Sequence, residues 1–306
     1  MARQIGALRG RLEWAGMAPL WALLRALPLE RAVRLGAAMG PVAMAFDRGN
    51  RSIALRNLTI AFPEIDDAAR LSILRDTYRN FGRMAAEWVH FFELSPGNIE
   101  SYVTYEGREH WDEAIRLSNG RGILVLTGHF GNFELLSLSH SLHGNRIAIV
   151  QRPNRNPIID RAVAARRLRN GNLTVSRKGA GREILRLLRQ NWMVAVPLDL
   201  DVRRGVFVDF FSLKASTSDA LARIAIASRA PVLPAFMVRE GTSTRHRITL
   251  FPPIVAVRGD DRGDAVREYT QQFTSLFEAM VRRYPDQWNW IHRRWKTRPP
   301  GEPRFY

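Results

Sequence analysis

The chain has 306 residues, 46% of them apolar, and no Cys, which excludes disulfides, thiolate nucleophiles and Cys-ligated metals and argues against disorder. Its 46 Lys and Arg against 29 Asp and Glu give a net charge of +17, and every base except Lys178, Lys214 and Lys296 is Arg. A GC-rich genome accounts for Arg over Lys, whereas the excess of base over acid suits an anionic partner: nucleic acid, an anionic membrane surface or a phosphorylated substrate.

The N-terminus is basic, with Arg3, Arg9 and Arg11 against Glu13, and uncharged runs follow over 14–24 and 35–46. Neither run reaches the roughly 20 apolar residues that cross a bilayer, and Arg25, Glu30, Arg31 and Arg34 keep them apart. Three readings are open. One is a signal peptide, although no small-residue cleavage site follows. The second is an interfacial amphipathic helix or helical hairpin with Trp14 and Trp21 as anchors at headgroup depth. The third is a core helix packed on the domain.

The stretch 56–64 reads as a helix ending at a Pro turn. Asp66 or Asp67 then caps a helix over about 68–92, where Leu71, Leu74, Tyr78, Phe81, Met84, Ala85 and Trp88 recur at helical spacing as a packing face. His90, near its end, reads as a surface or capping residue. Beyond residue 102, strands over 122–126, 146–150, 173–175, 193–197, 232–238 and 247–251 alternate with helices. These run from about 132 and over 158–169, 180–190, 218–228 and 264–284. The alternation predicts an α/β fold, a largely parallel central sheet flanked by helices, with a helical N-terminal extension. Residues 1–100 read as a helical membrane-docking region and 101–306 as the α/β core, one continuous domain.

In such sheets ligands bind beyond the carboxyl ends of strands, and there the run Gly122-Ile-Leu-Val-Leu-Thr-Gly-His-Phe-Gly-Asn-Phe-Glu-Leu-Leu136 places His129. A helix N-terminus favours neutral imidazole, the form a general base requires. Glu134 is spaced to accept a hydrogen bond from the other ring nitrogen and to stabilise the cation formed in the reaction. Gly128 and Gly131 leave room for a substrate, and their backbone donors, with Asn132, are candidates for stabilising developing negative charge. The spacing alone also fits a chance His–carboxylate pair, with Asn132 simply bonding the turn. Asp199 and Asp201 lie at a strand end, as functional carboxylates or as partners of Arg203 and Arg204. Phe207, Phe210 and Phe211 suit an apolar channel or the core. His246 flanks a strand and is expected to be exposed, and His292 reads as structural.

The segment Thr127-Gly-His-Phe-Gly-Asn-Phe-Glu134 resembles the His-x-x-x-x-Asp/Glu signature of the lysophospholipid acyltransferase superfamily, and more specifically the bacterial lipid A late acyltransferases of the lauroyl and myristoyl type. Further blocks are similar in order: Asn57-Leu-Thr-Ile-Ala-Phe-Pro-Glu64, Gln151-Arg-Pro-Asn-Arg-Asn-Pro157, Val196-Pro-Leu-Asp-Leu-Asp201, Val206-Phe-Val-Asp-Phe-Phe-Ser-Leu-Lys-Ala-Ser-Thr217 and Gln287-Trp-Asn-Trp-Ile-His-Arg-Arg-Trp-Lys-Thr-Arg-Pro299. Asp209 and Ser212 depart from the family's Pro and Gly, and Leu198 interrupts its Pro-Asp-x-Asp.

The resemblance implies a glycerolphosphate-acyltransferase-like fold. It implies transfer of a fatty acyl group from an acyl-carrier-protein or coenzyme A thioester to a hydroxyl of a phosphorylated lipid acceptor. A lipid A precursor is the leading acceptor, and another glycolipid or a lysophospholipid is the alternative. His129 is then the general base and Glu134 its orienting carboxylate, with the protonated His returning its proton to the leaving thiolate; no metal or bound cofactor is needed. Arg152 matches the family's basic position and is the candidate phosphate contact, ahead of Arg155, Arg166, Arg167 and Arg169. Asn132, Asp199 and Asp201 are candidate substrate-binding residues. The implied setting is the cytoplasmic face of the bacterial inner membrane, reached as a peripheral or monotopic monomer. The competing reading is a non-enzymatic basic protein that binds lipid or nucleic acid. Nucleic acid is disfavoured, because no zinc-finger spacing, basic zipper or RNP block is present and the Arg residues are scattered.

Overall fold

The computed structural model describes residues 6–151, 154, 156–169, 171–177, 179–257 and 262–306. Four helices open the chain: α1 (Ala7–Ala26), α2 (Leu29–Phe46), α3 (Arg48–Ala61) and α4 (Asp67–His90). α4 begins where Asp66 Oδ1 accepts from the Ala69 N–H at 2.7 Å, satisfying a donor that the first turn leaves free. Of the predicted packing face Leu74 and Tyr78 are buried and Leu71, Phe81, Met84 and Trp88 half-buried, whereas Ala85 is exposed and its neighbour Ala86 is buried instead. α2 crosses α4 at very short range. A Cβ at Gly36 would stand 2.3 Å from the Gly82 carbonyl oxygen, and one at Gly40 would stand 2.4 Å from that of Tyr78, so glycine is what lets the two backbones meet.

There follow β1 (Val103–Glu106), α5 (Arg108–Ser118), β2 (Leu124–Thr127), α6 (Phe133–Leu142), β3 (Ile147–Gln151), α7 (Pro157–Arg169), β4 (Leu173–Ser176), α8 (Ala180–Arg189) and β5 (Met193–Pro197). A hairpin of β6 (Val206–Phe210) and β7 (Leu213–Thr217) leads to α9 (Ala220–Ser228), β8 (Val232–Arg239), β9 (His246–Leu250) and α10 (Arg262–Arg283). The central sheet has the order β1-β9-β8-β2-β5-β3-β4. Pairing is parallel throughout except between β8 and β9. The largely parallel sheet is therefore as expected. β1, α5 and the β6–β7 hairpin are additional: β1 is a four-residue strand at the sheet edge with one buried residue, too short to carry a periodic signal.

Both faces of the sheet are covered. Leu124 and Leu126 of β2 belong to one apolar cluster and Ile123 and Val125 to the other, the period-two alternation of a strand between two layers. The first cluster joins Leu58, Leu74 and Tyr78 of the N-terminal helices to Phe236, Phe277, Trp288, Trp290 and Trp295. Phe210 and Phe211 are buried in it, while Phe207 is half-buried on the hairpin. The C-terminal stretch after α10 returns through the core, with an antiparallel bridge between Phe130 and Trp288.

α1 is attached more lightly. Trp14 packs on Trp21 (ring centroids 5.7 Å apart) and Trp21 on Trp88 of α4 (4.8 Å), so these rings serve packing rather than projecting outward as anchors. The outward side of α1 instead exposes Leu8, Leu12, Met17, Leu20 and Leu23, and α2 exposes Met39, Val42 and Phe46. Among the described residues no helix is long and apolar enough to cross a membrane. His90 is not a surface residue: it is buried, with Nδ1 bonded to Glu93 and Nε2 to the Leu24 carbonyl.

Candidate active site

β2 and β5 are adjacent parallel strands, and Thr127 is in register with Pro197. One further ladder bond, from Leu198 N–H to the Thr127 carbonyl at 3.0 Å, carries the pairing past the strand ends. His129 and Asp199 each lie two residues beyond that matched pair, so the register itself brings them together. Asp199 Oδ1 accepts from His129 Nδ1 at 3.0 Å. Its Oδ2 accepts from the His129 backbone N–H and from Trp288 Nε1, both at 3.1 Å. A buried carboxylate with three donors on it stays ionised. Burial alone would raise the Asp199 pKa, but the charge of His129 and these hydrogen bonds outweigh it and hold the carboxyl far below the usual range. An ionised Asp199 accepts only, so in the neutral ring Nδ1 carries the proton and Nε2 presents a lone pair. The His129 side chain is 27% exposed, and its residue lines a cavity of about 170 Å³.

The pKa of His129 moves opposite to the helix-terminus expectation. Burial lowers it, but Asp199, by charge and hydrogen bond, and Glu134, by charge alone, turn the net shift upward. The ring is therefore a stronger base than free imidazole, needing a correspondingly higher pH to be neutral.

The Glu134 expectation needs correction. Among the described residues it makes no hydrogen bond with His129; its Oε1 accepts from Arg167 Nη2 at 2.6 Å. Glu134 sits in the first turn of α6, and the chain between it and His129 turns sharply at Gly131 (φ 53°), which aims the two side chains at different partners. Arg167 is thus buried beside the site, paired with Glu134 and Gln151.

The glycines and Asn132 are also committed elsewhere. A Cβ at Gly131 would stand 1.9 Å from the Met237 carbonyl oxygen, and one at Gly128 would stand 2.3 Å from the Phe277 ring, so these residues admit protein rather than substrate. The Gly131 N–H donates to the Gln287 carbonyl at 2.7 Å and is not free to meet an oxyanion. Asn132 caps α6, its Oδ1 accepting from Leu135 N–H at 3.2 Å, and its amide donates to Glu87 Oε2 at 2.7 Å. With both ends used and 1% exposure, it does not bind substrate.

Glu87 is the hub of a buried network. It accepts from both terminal nitrogens of Arg239, one of them Nη2 at 2.7 Å, and its Oε1 lies 3.0 Å from His246 Nε2. Burial opposes its charge, but His246 and Arg239 prevail and bring its pKa down to about 2. His246 is accordingly buried, contrary to the exposure expected of it.

Asp201 does not reach the cavity. Its carboxylate accepts from the Thr297 N–H and hydroxyl, both at 3.0 Å, and its backbone N–H donates to His292 Nε2 at 2.9 Å. Neither Asp199 nor Asp201 pairs with Arg203 or Arg204 among the described residues. His292 is structural, as expected, and burial lowers its pKa to about 4. Arg152 and Arg155 lie outside the described residues.

The role of Asp199 was within reach of the sequence in one respect: two apolar strands each end in a titratable residue. The pairing of β2 with β5, 70 positions away, was not. Glu87 carried no signal, lying within an otherwise ordinary helix.

The sequence model of "Bacterial lipid A biosynthesis acyltransferase" matches residues 2–297. The lipid A biosynthesis lauroyltransferase of Escherichia coli (strain K12) is 28% identical over 298 residues, 96% of this chain and 94% of that protein. The palmitoleoyltransferase of lipid A biosynthesis from the same organism is 26% identical with the same coverage. A crystal structure of the 1-acyl-sn-glycerophosphate acyltransferase from Thermotoga maritima overlaps 76% of this chain and 97% of its own at 16% identity, with a TM-score of 0.36. With nearly its whole length matched and the motif that resembled the family set at a strand end, the chain belongs to the bacterial lipid A biosynthesis acyltransferases.

Proposed function

We propose that this acyltransferase moves a fatty acyl group from an acyl thioester to a hydroxyl of a lipid A precursor, with His129 as general base. The observation that carries the reading is the His129–Asp199 pair on the wall of a partly apolar cavity, in a chain of this family. Nε2 of His129 takes the proton of the acceptor hydroxyl as its oxygen attacks the thioester carbon. Asp199 holds the ring in the productive tautomer and balances the imidazolium that forms. Collapse of the tetrahedral intermediate breaks the C–S bond, and the proton on Nε2 passes to the departing thiolate. The attacking oxygen stays on the acyl carbon as the new ester, so atoms and charge balance. No residue here chooses between a carrier-protein and a coenzyme A thioester. Glu134 acts through its charge and through Arg167.

In the same reading the enzyme works as a peripheral protein at the cytoplasmic face of the inner membrane. Support comes from the exposed apolar side of α1 and α2, flanked by Arg9, Arg11, Arg25, Arg31 and Arg34, a combination suited to an anionic lipid surface.

The test is transfer of a radiolabelled acyl chain from thioester to lipid A precursor in mixed micelles. The wild-type chain should produce the labelled ester, and His129→Ala should lose at least about 10²–10⁴-fold in rate, the usual contribution of a general base. A His129→Ala variant as fast as wild type would overturn the mechanism. A wild type inactive with both thioester classes would overturn the donor assignment.

A further inference from the structure

The cavity at His129 has a mixed lining: Phe81, Met84, Phe133 and Ile291 are apolar, and Asn80, Asp286 and Asn289 contribute polar groups. Arg239 also borders the cavity, but its guanidinium is taken up by Glu87 and by the Ser243 carbonyl.

Among the described residues the side chain that bonds Asp286 is that of Asn80. The Asn80 amide donates to Asp286 Oδ2 at 2.8 Å and to its carbonyl oxygen at 3.0 Å. Asn80 Oδ1 in turn accepts from Arg83 Nη1 at 2.7 Å, which fixes the amide with its N–H groups toward Asp286. Among the described residues no cation pairs directly with Asp286. Burial accordingly raises its pKa, with the Asn80 bond opposing. Asn289, whose Oδ1 is buried without a partner, stands nearby on the same strap. The stretch 286–289 is tied to the turn that carries His129: the Gln287 carbonyl accepts from Gly131 N–H at 2.7 Å, and Asn289 N–H donates to the His129 carbonyl at 3.3 Å. Asp286 therefore stands in a fixed relation to His129.

The carboxylate of Asp286 and the amide oxygen of Asn289 in this lining can only accept hydrogen bonds. A phosphate brought against them would meet like charge; a hydroxyl or an amide N–H would be welcomed. Resting on the acyl-transfer reading above, we propose that Asp286, oriented by Asn80, is an acceptor-binding residue: it receives a hydrogen bond from a hydroxyl or amide N–H of the lipid headgroup next to the hydroxyl that reacts, while the headgroup's phosphates stay outside the cavity.

The experiment measures steady-state transfer to lipid A precursor in mixed micelles, varying acceptor and thioester separately, for wild type, Asp286→Asn and Asn80→Ala. Asp286→Asn keeps the volume and removes the charge. It should raise the acceptor KM about ten-fold or more, the usual range for a hydrogen bond to a charged group, with the thioester KM within about two-fold of wild type. Asn80→Ala, which leaves the carboxylate but frees its orientation, should raise the acceptor KM by a smaller factor. An unchanged acceptor KM in a folded Asp286→Asn, or a rise confined to the thioester KM, overturns the proposal while leaving the parent reaction standing. A wild type that transfers no acyl group overturns the parent reaction instead. Should Asp286→Asn not fold, an unchanged acceptor KM in Asn80→Ala overturns the proposal equally.

Discussion

The turn that carries His129 and the helix that opens the chain are both built from small and apolar residues, and the fold uses them in opposite ways. Around His129, glycines bring backbone against backbone and ring, Asp199 accepts from the His129 N–H, its ring Nδ1 and Trp288 Nε1, and the Gln287 carbonyl accepts from the Gly131 N–H. In α1 Leu8, Leu12, Met17, Leu20 and Leu23 face outward, and the helix is held through buried Leu24, Trp21 on Trp88, the Gly10 carbonyl on Asn156 and the Leu24 carbonyl on His90. The contrast fits the two tasks proposed above. Proton transfer needs a geometry fixed within tenths of an ångström, whereas a lipid surface needs apolar area left uncovered.

The largest test of the fixed region is Asp199→Asn. It keeps the shape but lets the His129 tautomer go wrong, and kcat should fall about 10²–10⁴-fold. The sign of the accompanying pH effect is set by the raised His129 pKa. Activity in wild type falls on the acid side as the ring protonates, at a pH above the ordinary imidazole value. Removing the Asp199 charge should move that acid limb of kcat/KM to lower pH. A variant with full kcat and an unmoved limb would dismiss Asp199 as the positioning residue.

For the exposed region, the combined variant Leu8→Ser, Leu12→Ser and Leu20→Ser should weaken binding to anionic vesicles roughly a hundred-fold while leaving the melting temperature near wild type, since all three side chains are exposed. Vesicle binding equal to wild type would break the contrast drawn above.

At the boundary between the two regions stands the α2–α4 crossing. Gly82→Ala would place a methyl 1.9 Å from the Gly36 carbonyl oxygen and should cost about 1–3 kcal/mol of stability, despite the better helix propensity of Ala. Chemical denaturation reads the loss; a neutral or stabilising result would mean that the helices separate without penalty.

The smallest effect distinguishes the two carboxylates near His129. Glu134→Gln removes a charge that raises the His129 pKa without a hydrogen bond, so it should move the acid limb in the same direction as Asp199→Asn but by less. A larger shift than that of Asp199→Asn would reinstate Glu134 as the orienting group.

Much of this molecule was legible without coordinates. Strand and helix positions in the core follow from runs such as Met193–Pro197 and from the spacing of Leu74, Tyr78 and Phe81, because local periodicity reports which face is buried. The placement of His129 beyond a strand end follows from the Gly-rich break after Thr127. What misled was proximity in sequence. Glu134 lies five positions from His129 yet bonds Arg167, while Asp199, 70 positions away, holds the ring. His246 looked exposed and Glu87 gave no signal, yet the two are buried together.

By itself the sequence determined the α/β class, the family and the place of His129 beyond a strand end, since these rest on local patterns and ordered motifs. Only the tertiary structure decided which carboxylate serves His129, that Gly128 and Gly131 admit protein instead of substrate, and that Asp286 faces the same cavity. The physical reason is strand register: it sets which loop ends coincide across the sheet, and pairing between distant segments is a property of the folded chain alone.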